Sequence, residues 1–99
     1  MKIIFAGTPK FASEHLSILL GGEHEIVAVL TQPDRKSGRG KKISFSEVKE
    51  IALENDLKVL QPASLKDVEI QKSINNLKPD IILVVAYGLL IPKTVLDVP

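Results

Sequence analysis

Residues 1–30, MKIIFAGTPKFASEHLSILLGGEHEIVAVL, decide the fold. Lys2 to Ala6 is a β-branched and apolar run ending at Gly7, the pattern of a strand covered on both faces. Thr8 is placed to cap a helix whose first position is Pro9, where a missing N–H does no harm. Ala12, Leu16, Leu19 and Leu20 follow at i, i+4, i+7 and i+8 and form one apolar stripe. Gly21 and Gly22 are expected to stop that helix in the left-handed conformation that glycine tolerates. Ile26 to Leu30 then reads as a second buried strand. A strand, a capped helix and a strand in this short a span make a βαβ unit, so the two strands should be parallel with a right-handed crossover.

Working outward, Ser44 with Glu47 has the spacing of a capping box, and Ser46 is a rival cap. Val48, Ile51, Ala52 and Asn55 give a short helix that frays at Asn55-Asp56, and Lys58 to Leu60 is a brief third strand turned away by Gln61-Pro62. Ser64 is expected to open a weaker helix with Ile70, Gln71, Ile74 and Leu77 on its inner face. Leu77 to Asp80 is a turn, and Ile81 to Ala86 is the most hydrophobic strand. Tyr87-Gly88 bends the end of that strand, and Pro92 starts a last short helix through Leu96. The order βαβαβαβ predicts one α/β domain over residues 1–99 with a doubly wound, Rossmann-like parallel sheet. There is no internal repeat, low-complexity tract or linker.

Charge is unevenly spread. TQPDRKSGRGKK, residues 31–42, holds Arg35, Lys36, Arg39, Lys41 and Lys42 against Asp34, a sum of +4 in a chain of +1, which leaves all other residues at −3. Pro33, Gly38 and Gly40 should deny this segment regular structure and leave a flexible basic loop suited to polyanions, above all nucleic-acid phosphates. In a doubly wound sheet ligands bind outside the carboxyl ends of the strands. Gly7 to Pro9, the basic loop and Ala86 to Pro92 all fall on that edge, so the loop rims the expected site.

Other chemistries are excluded or disfavoured. Gly7-Thr8-Pro9-Lys10-Phe11-Ala12 fails the G-x-G-x-x-G dinucleotide pattern, and proline at the second glycine position offers no N–H. Gly38-Arg39-Gly40-Lys41-Lys42 fails the phosphate-loop pattern at positions 35 and 42. His15 and His24 have no carboxylate partner at ligand spacing, so no metal is expected. Cysteine is absent, which removes disulfides, thiolate zinc sites and a cysteine nucleophile. With 44 % hydrophobic and 25 % charged residues, no membrane-length apolar run and an N-terminus too brief for a secretory signal, the chain reads as an ordinary cytoplasmic domain. Asp34 reads as a turn residue or a counter-ion to Arg35, and Tyr87 as either packed or pocket-lining. No nucleophile–base or acid–base pair emerges from the residues themselves.

The runs IIFAGTPKFA, TQPDRKSGRGKK, Gln61-Pro62 and VVAYGLLIPK, in this order and spacing, closely resemble the start of the methionyl-tRNA formyltransferase family. TQPDR…GRGKK is the specific part, whereas AGTP and VVAYG occur in other formyl-folate enzymes. The resemblance implies formyl transfer from 10-formyltetrahydrofolate to the amino group of methionyl initiator tRNA. It assigns tRNA contacts to Arg39, supported by Lys41, Lys42 and Arg35, and places Thr8 and Phe11 near the aminoacyl end. Tyr87, Gly88, Leu89, Leu90, Ile91 and Pro92 would wall the folate pocket, partly through backbone groups. The family's catalytic asparagine, histidine and aspartate would lie beyond Pro99, with the rest of the sheet and a β-barrel domain. The chain is therefore expected to be a truncated N-terminal part, inactive alone and prone to self-association through an unpaired sheet edge. A glycinamide ribonucleotide-type formyltransferase and a non-catalytic RNA-binding module are the alternatives.

Overall fold

The computed structural model describes residues 1–37, 42–89 and 91–98. Four parallel strands form the central sheet: β1 (Lys2–Gly7), β2 (Glu25–Leu30), β5 (Val59–Leu60) and β6 (Ile81–Val85). Their order is β5-β2-β1-β6, so β1 and β2 are central and the chain winds outward in both directions. Helices α1 (Lys10–Leu20), α2 (Glu47–Glu54), α3 (Val68–Leu77) and α4 (Lys93–Leu96) connect or follow the strands.

Strand alternation explains two cores instead of one. From β1, Ile3 and Phe5 join Ala12 and Leu16 of α1 and Val48 and Ala52 of α2 on one face. Ile4 and Ala6 join Leu65, Ile74 of α3, Tyr87 and Val95 of α4 on the other. The expected apolar stripe of α1 is thus the surface that meets the sheet. Both sides of β1 are covered, which is why it reads as a continuous apolar run.

Several local expectations need correction. Pro9, not Thr8, is the N-cap of α1, and no side chain caps it; the Thr8 hydroxyl instead donates to the Tyr87 carbonyl at 2.9 Å. Gly21 ends α1 at φ −81°, a right-handed conformation, so the left-handed stop is absent there. It occurs at α3, where Lys78 takes φ 50°. That helix is capped by Asp67, whose carboxylate accepts from the Glu69 N–H at 2.8 Å, three residues after the expected Ser64. Ser46 wins the competition to cap α2, accepting from the Lys49 N–H at 3.0 Å. Its hydroxyl also bonds that of fully buried Thr31 at 2.8 Å, which ties α2 to the end of β2.

The largest correction concerns the basic segment. It is not irregular throughout: Arg35–Ser37 (β3) pairs antiparallel with Lys42–Ser44 (β4), in the register Arg35↔Ser44, Lys36↔Ile43 and Ser37↔Lys42. Gly38 and Gly40, whose presence suggested an irregular loop, lie outside the described residues, and the ladder is built from the residues on either side of them.

Candidate functional site

Proline ends two of the strands in the same way. Gln32-Pro33 follows β2 and Gln61-Pro62 follows β5, and a residue before proline is held extended. Each glutamine is thereby presented at the carboxyl edge of the sheet. Gln32 donates its N–H to the Thr8 hydroxyl at 3.3 Å and its side-chain amide to the Tyr87 carbonyl at 3.0 Å. Gln61 donates from Nε2 to the Gln32 carbonyl at 3.3 Å and to Asp34 Oδ1 at 2.7 Å. These bonds join the ends of β6, β1, β2 and β5 in one continuous line.

Beside that line lies a cleft of about 480 Å³, lined by Thr8, Pro9, Gln32, Pro33, Ser44, Phe45, Ser46, Glu47 and Ala86. Its size falls within the range of small-ligand sites. The three chain segments expected on this edge all contribute: the β1–α1 turn, both flanks of the basic ribbon, and the end of β6. Phe11 does not line it; its ring is 61 % exposed and lies 4.6 Å from that of His15. His15 Nδ1–H donates back to the Phe11 carbonyl at 2.9 Å, a local helix contact.

Asp34, expected as a turn residue or a partner of Arg35, has a different cation beside it. It pairs with Lys49 Nζ at 2.8 Å, and the same ammonium lies 3.8 Å from the centroid of the Phe45 ring. The bond from Lys49, reinforced by that from Gln61, holds the Asp34 carboxyl below its ordinary value. Arg35 and Lys42 lie in the ribbon strands, whereas Arg39, Lys41 and Leu90 lie outside the described residues.

Tyr87 is a packed residue: its side chain is 1 % exposed, and burial pushes its phenol up to about 12. Among the described residues its hydroxyl has no hydrogen-bond partner. Tyr87→Phe is therefore expected to be neutral or to stabilise by up to about 1 kcal/mol, since it removes an unsatisfied buried polar group. A raised phenol stabilises the native state below the unfolded value near 10 and loses that contribution as pH climbs through the native value. Denaturant titrations of the wild type should thus show stability falling between pH 10 and 12, with that part of the fall missing in the variant. Parallel curves would show that burial does not raise this phenol in the native state.

The segment after Tyr87 is arranged around the Tyr87 backbone. That carbonyl accepts from both Thr8 and Gln32, Gly88 is exposed with φ 92°, and Leu89 and Ile91 pack toward the second core. Among the described residues, no group of three or more His, Cys, Asp or Glu is arranged to hold a metal ion, and no helix is long and apolar enough to cross a membrane.

The sheet order defines a doubly wound α/β domain, and the cleft outside the carboxyl ends of its strands lies where such sheets hold their ligands. The chain belongs to the formyl transferase family, whose pattern it matches over residues 1–99. It is 57 % identical to a methionyl-tRNA formyltransferase of Pseudomonas fluorescens (strain Pf-5), a match covering 100 % of this chain and 31 % of that protein. A methionyl-tRNA formyltransferase of Idiomarina loihiensis is 58 % identical over the same shares of the two chains. The chain thus spans about a third of the length of these relatives. Among solved structures, phosphoribosylglycinamide formyltransferase from Bacillus halodurans superposes with a TM-score of 0.68, covering 99 % of this chain and 51 % of that one. At 13 % identity, that likeness speaks for the fold alone.

The sequence reading missed Gln32, Gln61, Lys49 and Phe45 as site residues. The repeated Gln-Pro at the ends of β2 and β5 was the available signal for the glutamines. Lys49 and Phe45 carried none, because their roles depend on where α2 packs.

Proposed function

We propose that this chain belongs to an enzyme that transfers a formyl group from 10-formyltetrahydrofolate to the amino group of methionyl initiator tRNA, in the cytoplasm. The reading is carried by the identity of more than half its residues, over its whole length, to proteins bearing the methionyl-tRNA formyltransferase name. Its support in the fold is that both flanks of the basic ribbon line the cleft. Basic side chains grip the phosphates of the acceptor stem, and the aminoacyl end enters the cleft beside Thr8. Phe11, exposed on the first turn of α1, meets the same end of the tRNA from outside the cleft.

The folate donor supplies the formyl carbon. This chain's share is binding and orientation, with Tyr87 to Pro92 as one wall of the donor pocket. That segment suits a wall that works through its main chain: the Tyr87 side chain is committed to the core, and Gly88 leaves the backbone uncovered.

The test pairs a formyl-transfer assay with tRNA binding by the chain as it stands. We expect no turnover, but binding that weakens steeply with salt and falls further in Arg39→Ala. Removing one phosphate-binding charge should shrink the slope of log affinity against log salt by about 0.7–0.9. Turnover by the chain alone would overturn this division of labour, and tRNA affinity that ignores salt would remove the basic segment from its role. Preference for glycinamide ribonucleotide as acceptor would favour the related small-molecule enzyme.

Self-association through the sheet edge belongs to the same proposal. β6 pairs only with β1 among the described residues, and Val84 on it is 43 % exposed. Apolar edges of this kind recruit further strands. Light scattering across the micromolar range should reveal growing mass; a stable monomer would dismiss the idea.

A further inference from the structure

Lys49 stands where helix electrostatics disfavour it. It occupies the first turn of α2, where Glu47 and Glu50 suit the positive end of the helix dipole and a cation does not. Its side chain is nevertheless only 13 % exposed. The ammonium sits between two residues that are distant in sequence and adjacent to the ribbon. Asp34, 2.8 Å away, immediately precedes β3, and the Phe45 ring, 3.8 Å to its centroid, immediately follows β4. One cation therefore grips both feet of the basic ribbon and anchors them to a helix that is itself packed on the sheet through Val48 and Ala52. Gln61 closes the arrangement from the end of β5 by donating to the other oxygen of Asp34.

We propose that Lys49 is a positioning residue: through Asp34 and Phe45 it fixes the direction in which the basic ribbon leaves the sheet, and so prepares the ribbon for its polyanionic ligand. The proposal rests on the reading of that ribbon as an RNA-binding element. Lys49 does not itself meet phosphate, because its charge is already engaged by Asp34 in a partly desolvated site. The role of Asp34 follows from the same geometry and runs against simple electrostatics. Removing its negative charge raises the local sum from +4 to +5, which by attraction alone strengthens binding to RNA. If it is a foot of the ribbon, its loss weakens binding.

Three variants, with Lys42→Ala as a control, and two readouts decide the matter. Lys49→Met keeps the length of the stem and removes the charge, Lys49→Arg restores a cation able to pair with Asp34 and stack on Phe45, and Asp34→Asn removes the acceptor charge. Binding of methionyl initiator tRNA should fall about fivefold in Lys49→Met and in Asp34→Asn, the worth of one well-seated charge pair. It should recover in Lys49→Arg. The salt slope should stay at the wild-type value in all three, whereas Lys42→Ala should lower it. Hydrogen exchange on the RNA-free protein gives the second readout: amides of Arg35–Ser37 and Lys42–Ser44 should exchange faster in Lys49→Met, with those of β1 and β2 unchanged.

Unchanged exchange in the ribbon, tighter binding by Asp34→Asn, or a lowered salt slope in Lys49→Met would each overturn the proposal. Should the wild type fail to bind tRNA, the functional reading falls, and the exchange result still decides whether Lys49 anchors the ribbon.

Discussion

Gly7→Ala is expected to destabilise this protein severely, although it adds a single methyl group. A Cβ built on Gly7 would lie 2.7 Å from the Ala12 Cβ, 2.7 Å from the Val85 carbonyl oxygen and 3.0 Å from the Phe5 ring. Two of those neighbours cannot swing aside: Ala12 is fixed on α1, and the carbonyl belongs to the β6 backbone that pairs with Gly7. To make room, either α1 must rise from the sheet or β6 must separate from β1, and each carries a whole face of a core with it. Overpacking of this sort costs about 1–3 kcal/mol and sometimes more. For a domain of about 100 residues each kcal/mol lowers the melting temperature by roughly 4–8 °C. A fall of about 10 °C or more in a calorimetric scan is the expected outcome. Gly21→Ala is the control: φ there is −81°, and the nearest atom to its Cβ would be the Ile18 carbonyl oxygen at 3.5 Å. Its melting temperature should equal or exceed that of the wild type. Equal tolerance at both glycines would mean that α1 does not approach the sheet as closely as described.

The contrast between these glycines also marks how far the sequence could be read. Gly7 was legible as the end of a strand, but the close approach that forbids a side chain is a property of three elements at once. Gly21 was legible as a helix stop, yet the stop is achieved without a left-handed residue. Buried strands and the βαβ order were readable because a two-sided apolar strand and a one-sided helix have different periods. The two cores follow directly from that. Caps were less secure, since Ser44, Ser46, Ser64 and Asp67 all have capping side chains and the choice among them is made by packing. Ser46 succeeds because Thr31 waits for its hydroxyl.

The same distinction runs through the site. The edge carrying it was fixed by topology, and charge pointed to the segment that rims it. What charge could not reveal was the paired ribbon within the basic segment, because strands of three residues are too short to show an alternation. Asp34 shows the limit most clearly. Its sequence neighbour Arg35 is the obvious counter-ion, but its carboxylate accepts from Lys49, 15 positions away and brought close by the turn of α2. Long-range pairs of this kind leave no trace in spacing.

Gly88→Ala should have the second large effect, and it should be felt in ligand binding as well as in stability. Gly88 has φ 92°, a region that L-residues adopt only under strain of about 1–3 kcal/mol. Its Cβ would also run into the side-chain amide of Gln32. That amide cannot retreat freely, since it donates to the Tyr87 carbonyl and lines the cleft. The substitution thus pushes Gln32 off the carbonyl and loosens the junction between the ends of β2 and β6. Donor and acceptor sites on the proposed reading meet at this junction, so affinity for the folate donor should fall about tenfold, the equivalent of about 1.4 kcal/mol. Ala86→Gly probes the neighbouring position with the opposite sign. Ala86 already holds φ 51°, so glycine relieves strain there while raising the entropy of the unfolded chain, and the net change should be small. Folate-analogue titration and thermal melting on both variants separate the two causes. If Gly88→Ala loses stability but keeps its donor affinity, the bend after β6 serves the fold alone, and the wall of the donor pocket must be sought elsewhere on this edge.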